Sequence, residues 1–291
     1  MIKKSFTTLA LTAALLLGGA GITLAQGIKM PASSPSSKVE QAVGLSTVTV
    51  DYSRPSMRGR QIFGDLVPYD KLWRTGANGS TDITFSDEVS IAGNKVPAGK
   101  YALYTIPGKD QWTVVLHKNT ELWGDGGKDY KPEQDQLRFD VKPQQNSRKV
   151  ETFTIDFANL TNNSADVELL WDNVVVPFTI QTDVDSKVMS QIQQQVVKGT
   201  SVTPDLYASA ANYYFNTDKD LPQALTWIKK ANEKDAKFYN LHTQAKIQAK
   251  MKNYKEAIKT AEQSMALAQK EGNQDYVALN QKAIADWKKM K

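Results

Sequence analysis

Four of the six arginines in this chain, Arg54, Arg58, Arg60 and Arg74, fall within 21 residues of one another. The stretch is irregular and punctuated by Pro55, Gly59, Gly64 and Pro68, and it closes on Trp73-Arg74-Thr75-Gly76-Ala77-Asn78. A guanidinium group is suited to planar, bidentate recognition of carboxylate, phosphate or sulfate. Glycines let backbone N–H groups turn toward the same anion, and Trp73 could stack on a sugar ring or base. Arg54, Arg58, Arg60, Trp73, Arg74 and Asn78 are therefore the candidate residues for an anionic or saccharide ligand. A structural alternative stands beside this one. Asp51, Asp65, Asp70 and Asp82 are near in sequence and could pair with the arginines, stapling a long loop onto a sheet.

Other chemistries find less support. The chain has no cysteine, which removes disulfides, thiolate nucleophiles, cysteine-ligated metals and a lipidated N-terminal cysteine. Its two histidines, His117 and His242, leave few ways to build a histidine metal site or a nucleophilic triad. His242 shares a helical face with Phe238, Ala245 and Ala249, the spacing of a core residue; His117 alternates with Thr113 and Val115 on the polar face of a strand. Gly93 to Lys100 has one residue too many between its glycines for a phosphate loop and reads as a hairpin turn. Asp125 and Asp129, in Trp123-Gly-Asp-Gly-Gly-Lys-Asp-Tyr130, miss the calcium-loop spacing and read as a solvated loop. Nothing calls for a metal or a cofactor. Trp73, Trp112, Trp123 and Trp171 could form a saccharide platform, although core packing is the commoner use of tryptophan.

These residues need positioning elements, and the period of the hydrophobic pattern supplies them. From about residue 37 to 183 the period is two, with nine short strands separated by turns such as Gly93-Asn94, Pro107-Gly108 and Asn162-Asn163. Strands without intervening helices predict an antiparallel β-sandwich or jelly-roll-like domain. Pro177 predicts that the last strand lies at an edge. From 186 to 291 the period becomes helical, with segments at Leu206–Phe215, Leu221–Glu233, Phe238–Met251, Tyr254–Lys270 and Tyr276–Lys289. Ala224 and Ala231 recur 33 residues on as Ala257 and Ser264, and Ala210 recurs as Ala245. That spacing resembles the tetratricopeptide repeat, over about 203–289, as two degenerate repeats and a capping helix. Such repeats stack into a groove that takes a protein or peptide partner, unless so short an array only covers an edge of the β-domain. The fold class is thus α+β in two domains.

The Arg-rich blocks carry a second resemblance. Val50-Asp-Tyr-Ser-Arg-Pro-Ser56, Arg58-Gly-Arg60, Ile62-Phe-Gly64, Leu66-Val-Pro-Tyr69, Trp73 to Asn78, and Ala98-Gly-Lys-Tyr-Ala-Leu103 with Ile106-Pro107 resemble a bacterial exported family, domain of unknown function 2911, over about 33–181. The resemblance implies an exported β-rich domain, often with helical repeats appended, and no established activity or catalytic residue.

The N-terminus fits export. Lys3 and Lys4 precede an uncharged apolar run from Phe6 to Leu17, and Thr23-Leu24-Ala25 offers small residues for cleavage after Ala25. Residues 1–25 are read as a signal peptide and 26–36 as a flexible leader, giving a soluble periplasmic or secreted protein without a membrane span. Residues 26–185 hold 17 basic and 21 acidic residues (net −4), and 186–291 hold 17 and 10 (net +7). A basic helical domain invites a nucleic-acid partner, but an exported protein seldom meets one, and lysine-rich helices usually present solvated faces. The expectation is a cell-envelope binding or scaffolding protein, favoured over catalysis. The alternative is a carboxylate-dependent hydrolase acting on a glycan or ester, marked by an acidic pair facing Trp73 across a cleft.

Overall fold

A computed structural model describes residues 30–290. Residues 1–25, read above as a signal peptide, and residues 26–29 of the expected leader lie outside the described residues. Ten strands form two antiparallel sheets, one of six strands in the order β1-β2-β3-β6-β7-β8 and one of four in the order β5-β4-β10-β9. The six-stranded sheet comprises β1 (Ser36–Val43), β2 (Ser46–Ser53), β3 (Thr81–Phe85), β6 (Gly99–Ile106), β7 (Trp112–His117) and β8 (Asp135–Val141). The other holds β4 (Val89–Ile91), β5 (Asn94–Val96), β9 (Gln144–Ala158) and β10 (Ser164–Thr182).

Alternation makes the sandwich. Along β2 every second residue is buried, so Val48, Val50 and Tyr52 face inward. They meet Ile155, Val167, Leu169 and Trp171 from the opposite sheet in one continuous core. Strands β6 and β7 break the alternation because both their faces are covered. On the outer side Ala102, Tyr104 and Val115 form a second small core with Leu122 and Tyr130, from the segment between β7 and β8.

Two of the ten strands, β1 and β5, escape the sequence reading, and its last two strands are one, β10. Strand β10 is not at an edge: it lies between β4 and β9. Pro177 is tolerated because it falls where pairing with β9 has ended, at Val175, and pairing with β4 has not begun, at Ile180. Its missing N–H is needed in neither ladder.

The C-terminal part holds six α-helices: α1 (Val184–Ile192), α2 (Pro204–Asn216), α3 (Leu221–Lys234), α4 (Phe238–Lys250), α5 (Tyr254–Lys270) and α6 (Gln274–Lys288). Helix α1, absent from the sequence reading, runs into a single π-helical turn at Gln193–Val197. The recurring small residues Ala210, Ala224, Ala231, Ala245, Ala257 and Ser264 are all buried, which lets α2 pack on α3 and α4 on α5. This matches two helical hairpins and a capping helix. Helix α1 makes the link to the sandwich, with Lys187 Nζ 2.6 Å from Asp87 Oδ1.

Candidate functional site

Edge strand β9 would expose unpaired backbone groups, and the start of the Arg-rich segment covers them. Met57 N donates to Glu151 O at 2.8 Å and Phe153 N to Pro55 O at 2.8 Å. The Tyr52 hydroxyl accepts from Ile155 N at 2.9 Å and donates to its carbonyl at 3.3 Å, tying the two sheets together. The far end of the segment is fixed by Trp73, which exchanges backbone hydrogen bonds of 2.7 and 2.9 Å with Thr105 on β6.

Between these anchors the four arginines separate into different roles. Arg54 donates to Phe153 O at 3.0 Å and to the Thr154 hydroxyl at 2.6 Å. Arg58 donates to Ser33 O at 3.0 Å, while Asn78 Nδ2 reaches Ser53 Oγ at 3.1 Å and Ser34 O at 3.4 Å, so both hold the leader. Arg60 donates to Met57 O and Ser56 O at 2.9 and 2.7 Å. The staple is therefore built from carbonyls, not from Asp51, Asp65 and Asp70 as the sequence alternative had it. Asp82 pairs instead with Lys100, at 2.6 Å. Among the described residues the only arginine in an ion pair is Arg138, with Asp135.

Arg74 differs from the other three. It is half-buried, and its Nε is shut off from solvent with no hydrogen-bond partner. The segment between β7 and β8 lies against it: a Cβ on Gly124, whose φ is 65°, would stand 2.9 Å from Arg74 Nη1 and oblige the guanidinium to shift. Behind it, Tyr104 is near enough to feel the charges of Arg74 and Asp125, and burial pushes its hydroxyl pKa up. Burial likewise raises the Asp82 carboxyl above its ordinary range despite Lys100.

Arg74 lines a cavity of about 320 Å³, within the range of small-molecule sites. Arg60 and Trp73 also line it, so the structure brings together three of the six candidate residues and assigns Arg54, Arg58 and Asn78 to other contacts. Trp171 stacks on Trp73 with centroids 5.9 Å apart and planes 17° from parallel. Asp125 and the leader residue Ser34 complete the polar lining. Sequence proximity gave no signal for Ser34, Asp125 or Trp171, because each reaches the cavity from a different element. Among the described residues Asp125 is the only carboxylate on its walls, so the acidic pair of the hydrolase alternative finds no second member among them.

The remaining candidates are structural. His117 is fully buried, on a face that the covering segment makes apolar; its Nδ1 accepts from Asn119 N at 3.0 Å and its Nε2 donates to Lys131 O at 3.1 Å. His242 Nδ1 sits 2.8 Å from Asn280 Oδ1, in a network that continues through Asn280 Nδ2 to Ser264 Oγ at 2.8 Å. Trp112 and Trp171 are core residues, whereas Trp123 is 75% exposed. Among the described residues no three His, Asp or Glu side chains gather as a metal site, and no helix is long and apolar enough to cross a membrane.

No curated protein and no solved structure matches this chain. Residues 34–180, just over half of its length, match the family described as "Protein of unknown function (DUF2911)". That span contains every residue found lining the Arg74 cavity, and the chain belongs to this family of unknown function.

Proposed function

We propose that this is an exported, non-catalytic binding protein of the cell envelope whose Arg74 cavity takes a small anionic ligand. One observation carries the reading: Arg74 lines the cavity, and among the described residues its side chain has no hydrogen-bond or ion-pair partner. The accessible part of that guanidinium is suited to a carboxylate, phosphate, sulfate or acidic sugar entering the cavity. Arg60 adds a second cation, and Trp73 with Trp171 adds an apolar wall against which a ring could lie. The basic N-terminus and short apolar run support export to the periplasm or beyond. The basic helical hairpins would serve a separate protein partner, as repeats of this kind do.

The test is a thermal-shift screen of the purified protein against inorganic phosphate, sulfate, simple carboxylates and acidic oligosaccharides, with Arg74→Met alongside. A ligand at ~100 times its dissociation constant stabilises by ~2.7 kcal/mol, a rise of several degrees. The expected result is a rise in the unaltered protein that Arg74→Met abolishes. Equal shifts in both proteins, or none in either, would remove the reading.

A further inference from the structure

The cavity carries a second charge that an anion alone leaves unused. Asp125 lines the same walls as Arg74, yet the two form no ion pair. Asp125 Oδ1 accepts from Gly127 N at 3.0 Å, which leaves Oδ2 without a protein partner. Opposite charges that share a cavity without meeting are each satisfied by a molecule bearing both signs. Besides Arg60 and Ser34, the wall carries the apolar side chains Leu66, Val67 and Leu72 beside Trp73, which is backed by the buried Trp171.

From this arrangement we infer that the ligand is a compact zwitterion with an apolar side chain, that is, an amino acid or short peptide. Its carboxylate meets Arg74, its ammonium meets Asp125, and its side chain lies against the tryptophans. The inference rests on the anion-binding reading above and adds to it the second charge and the side chain. A bidentate guanidinium–carboxylate pair fixes orientation, so the position of Asp125 then selects for an amino group on the same molecule.

The experiment is isothermal titration calorimetry on the full chain. The probes are leucine, phenylalanine and dileucine, then the amino-free analogues 4-methylpentanoate and 3-phenylpropanoate, then inorganic phosphate. The proteins are the unaltered chain, Asp125→Asn and Arg74→Met. Asp125 is exposed, so Asp125→Asn should melt at an unchanged temperature, which circular dichroism checks. The expected result is that the amino group strengthens binding at least tenfold, that Asp125→Asn erases this gain while carboxylates still bind, and that Arg74→Met loses both. Amino-free acids binding as tightly as the amino acids would overturn the inference and leave the anion reading standing. So would a tenfold gain that survives Asp125→Asn. Failure of zwitterion, carboxylate and phosphate alike would bring down the anion reading itself. Leucine against dileucine separates the two sources of the same chemistry.

Discussion

Replacing Arg74 with methionine should stabilise the empty protein, although arginine-to-methionine changes in a folded domain ordinarily cost stability. The Nε of Arg74 is buried without an acceptor, and such a group costs about 1–3 kcal/mol. Arg74 is only half-buried, so the rest of its guanidinium stays hydrated from the cavity and the lower figure applies. Methionine keeps an unbranched stem of adaptable shape and removes the charge. The expected gain is about 1 kcal/mol, which raises the melting temperature by about 2–4 °C. Arg54→Met is the matched control with the opposite sign. It strips the Phe153 carbonyl and the Thr154 hydroxyl of a part-buried partner and should cost about 1–3 kcal/mol. Thermal unfolding followed by tryptophan fluorescence reads the sandwich, because Trp73, Trp112, Trp123 and Trp171 of the six tryptophans lie there. Far-ultraviolet circular dichroism reads the helices in the same sample. A fall in melting temperature for both variants would mean that the Arg74 guanidinium is satisfied in the folded protein, and the argument for a ligand would lose its footing.

Three further outcomes follow from contacts away from the cavity. Tyr52→Phe removes the hydroxyl that serves both backbone groups of Ile155 and should cost about 1–3 kcal/mol, read as a lower urea midpoint by tryptophan fluorescence. Ala257→Leu forces a larger side chain into the fully buried contact between the second pair of hairpin helices and should cost about 1–3 kcal/mol, seen by circular dichroism. The Asp87 carboxyl is held down at about 2, first by its hydrogen bond to Lys187 and then by Ser86 and Ser46. A depressed carboxyl pKa contributes stability above its unfolded value, near 4, and loses it as the pH falls toward 2. Amide exchange in α1 should therefore accelerate over that window, and Asp87→Asn should flatten the dependence.

What could be read from the chain follows from how locally each feature is encoded. The helical hairpins are legible because small residues at a fixed interval mark where helices touch, and those alanines are buried. Strand β1 is illegible because it is a half-exposed edge rising out of a Ser- and Pro-rich leader, so its alternation carries little hydrophobic contrast. Strand β5 is three residues long and follows a two-residue turn, too short for a period to register. Strand β10 reads as two because Asp172, at φ 52°, sits among register shifts that displace the alternation midway. Helix α1 carries its apolar stripe on Val184, Val188 and Ile192 alone, too short a run for the period to register, and its clearest mark is Asp183 accepting from Ser186 N at 3.0 Å as an N-cap. For the candidate site, arginine type and clustering pointed to the segment that lines the cavity. They could not tell an arginine that caps backbone carbonyls from one that lacks an acceptor, since the acceptors come from β9 and the leader.

Backbone strain separates those two uses of arginine further. Arg58, Asp70, Thr75 and Asn78 all take positive φ within one segment, a conformation that costs about 1–3 kcal/mol where the residue is poorly suited to it. Thr75 is the least suited, being β-branched at φ 54° and fully buried. It is held there from several sides. Its hydroxyl lies 3.0 Å from that of Thr105, its carbonyl accepts from Thr81 Oγ1 at 2.6 Å, and Trp73 before it is locked to Thr105. Gly76 follows with φ 156°, where a Cβ would stand 2.9 Å from Ser53 O. Arg74 is thus carried on a firmly held stretch of backbone. Arg54, Arg58 and Arg60, on the more exposed limb of the segment, all find carbonyls. A strained, over-determined turn that carries an arginine without a protein partner beside a cavity is what the proposed anion-binding role requires, and the opposite signs expected for Arg74→Met and Arg54→Met put that requirement to the test.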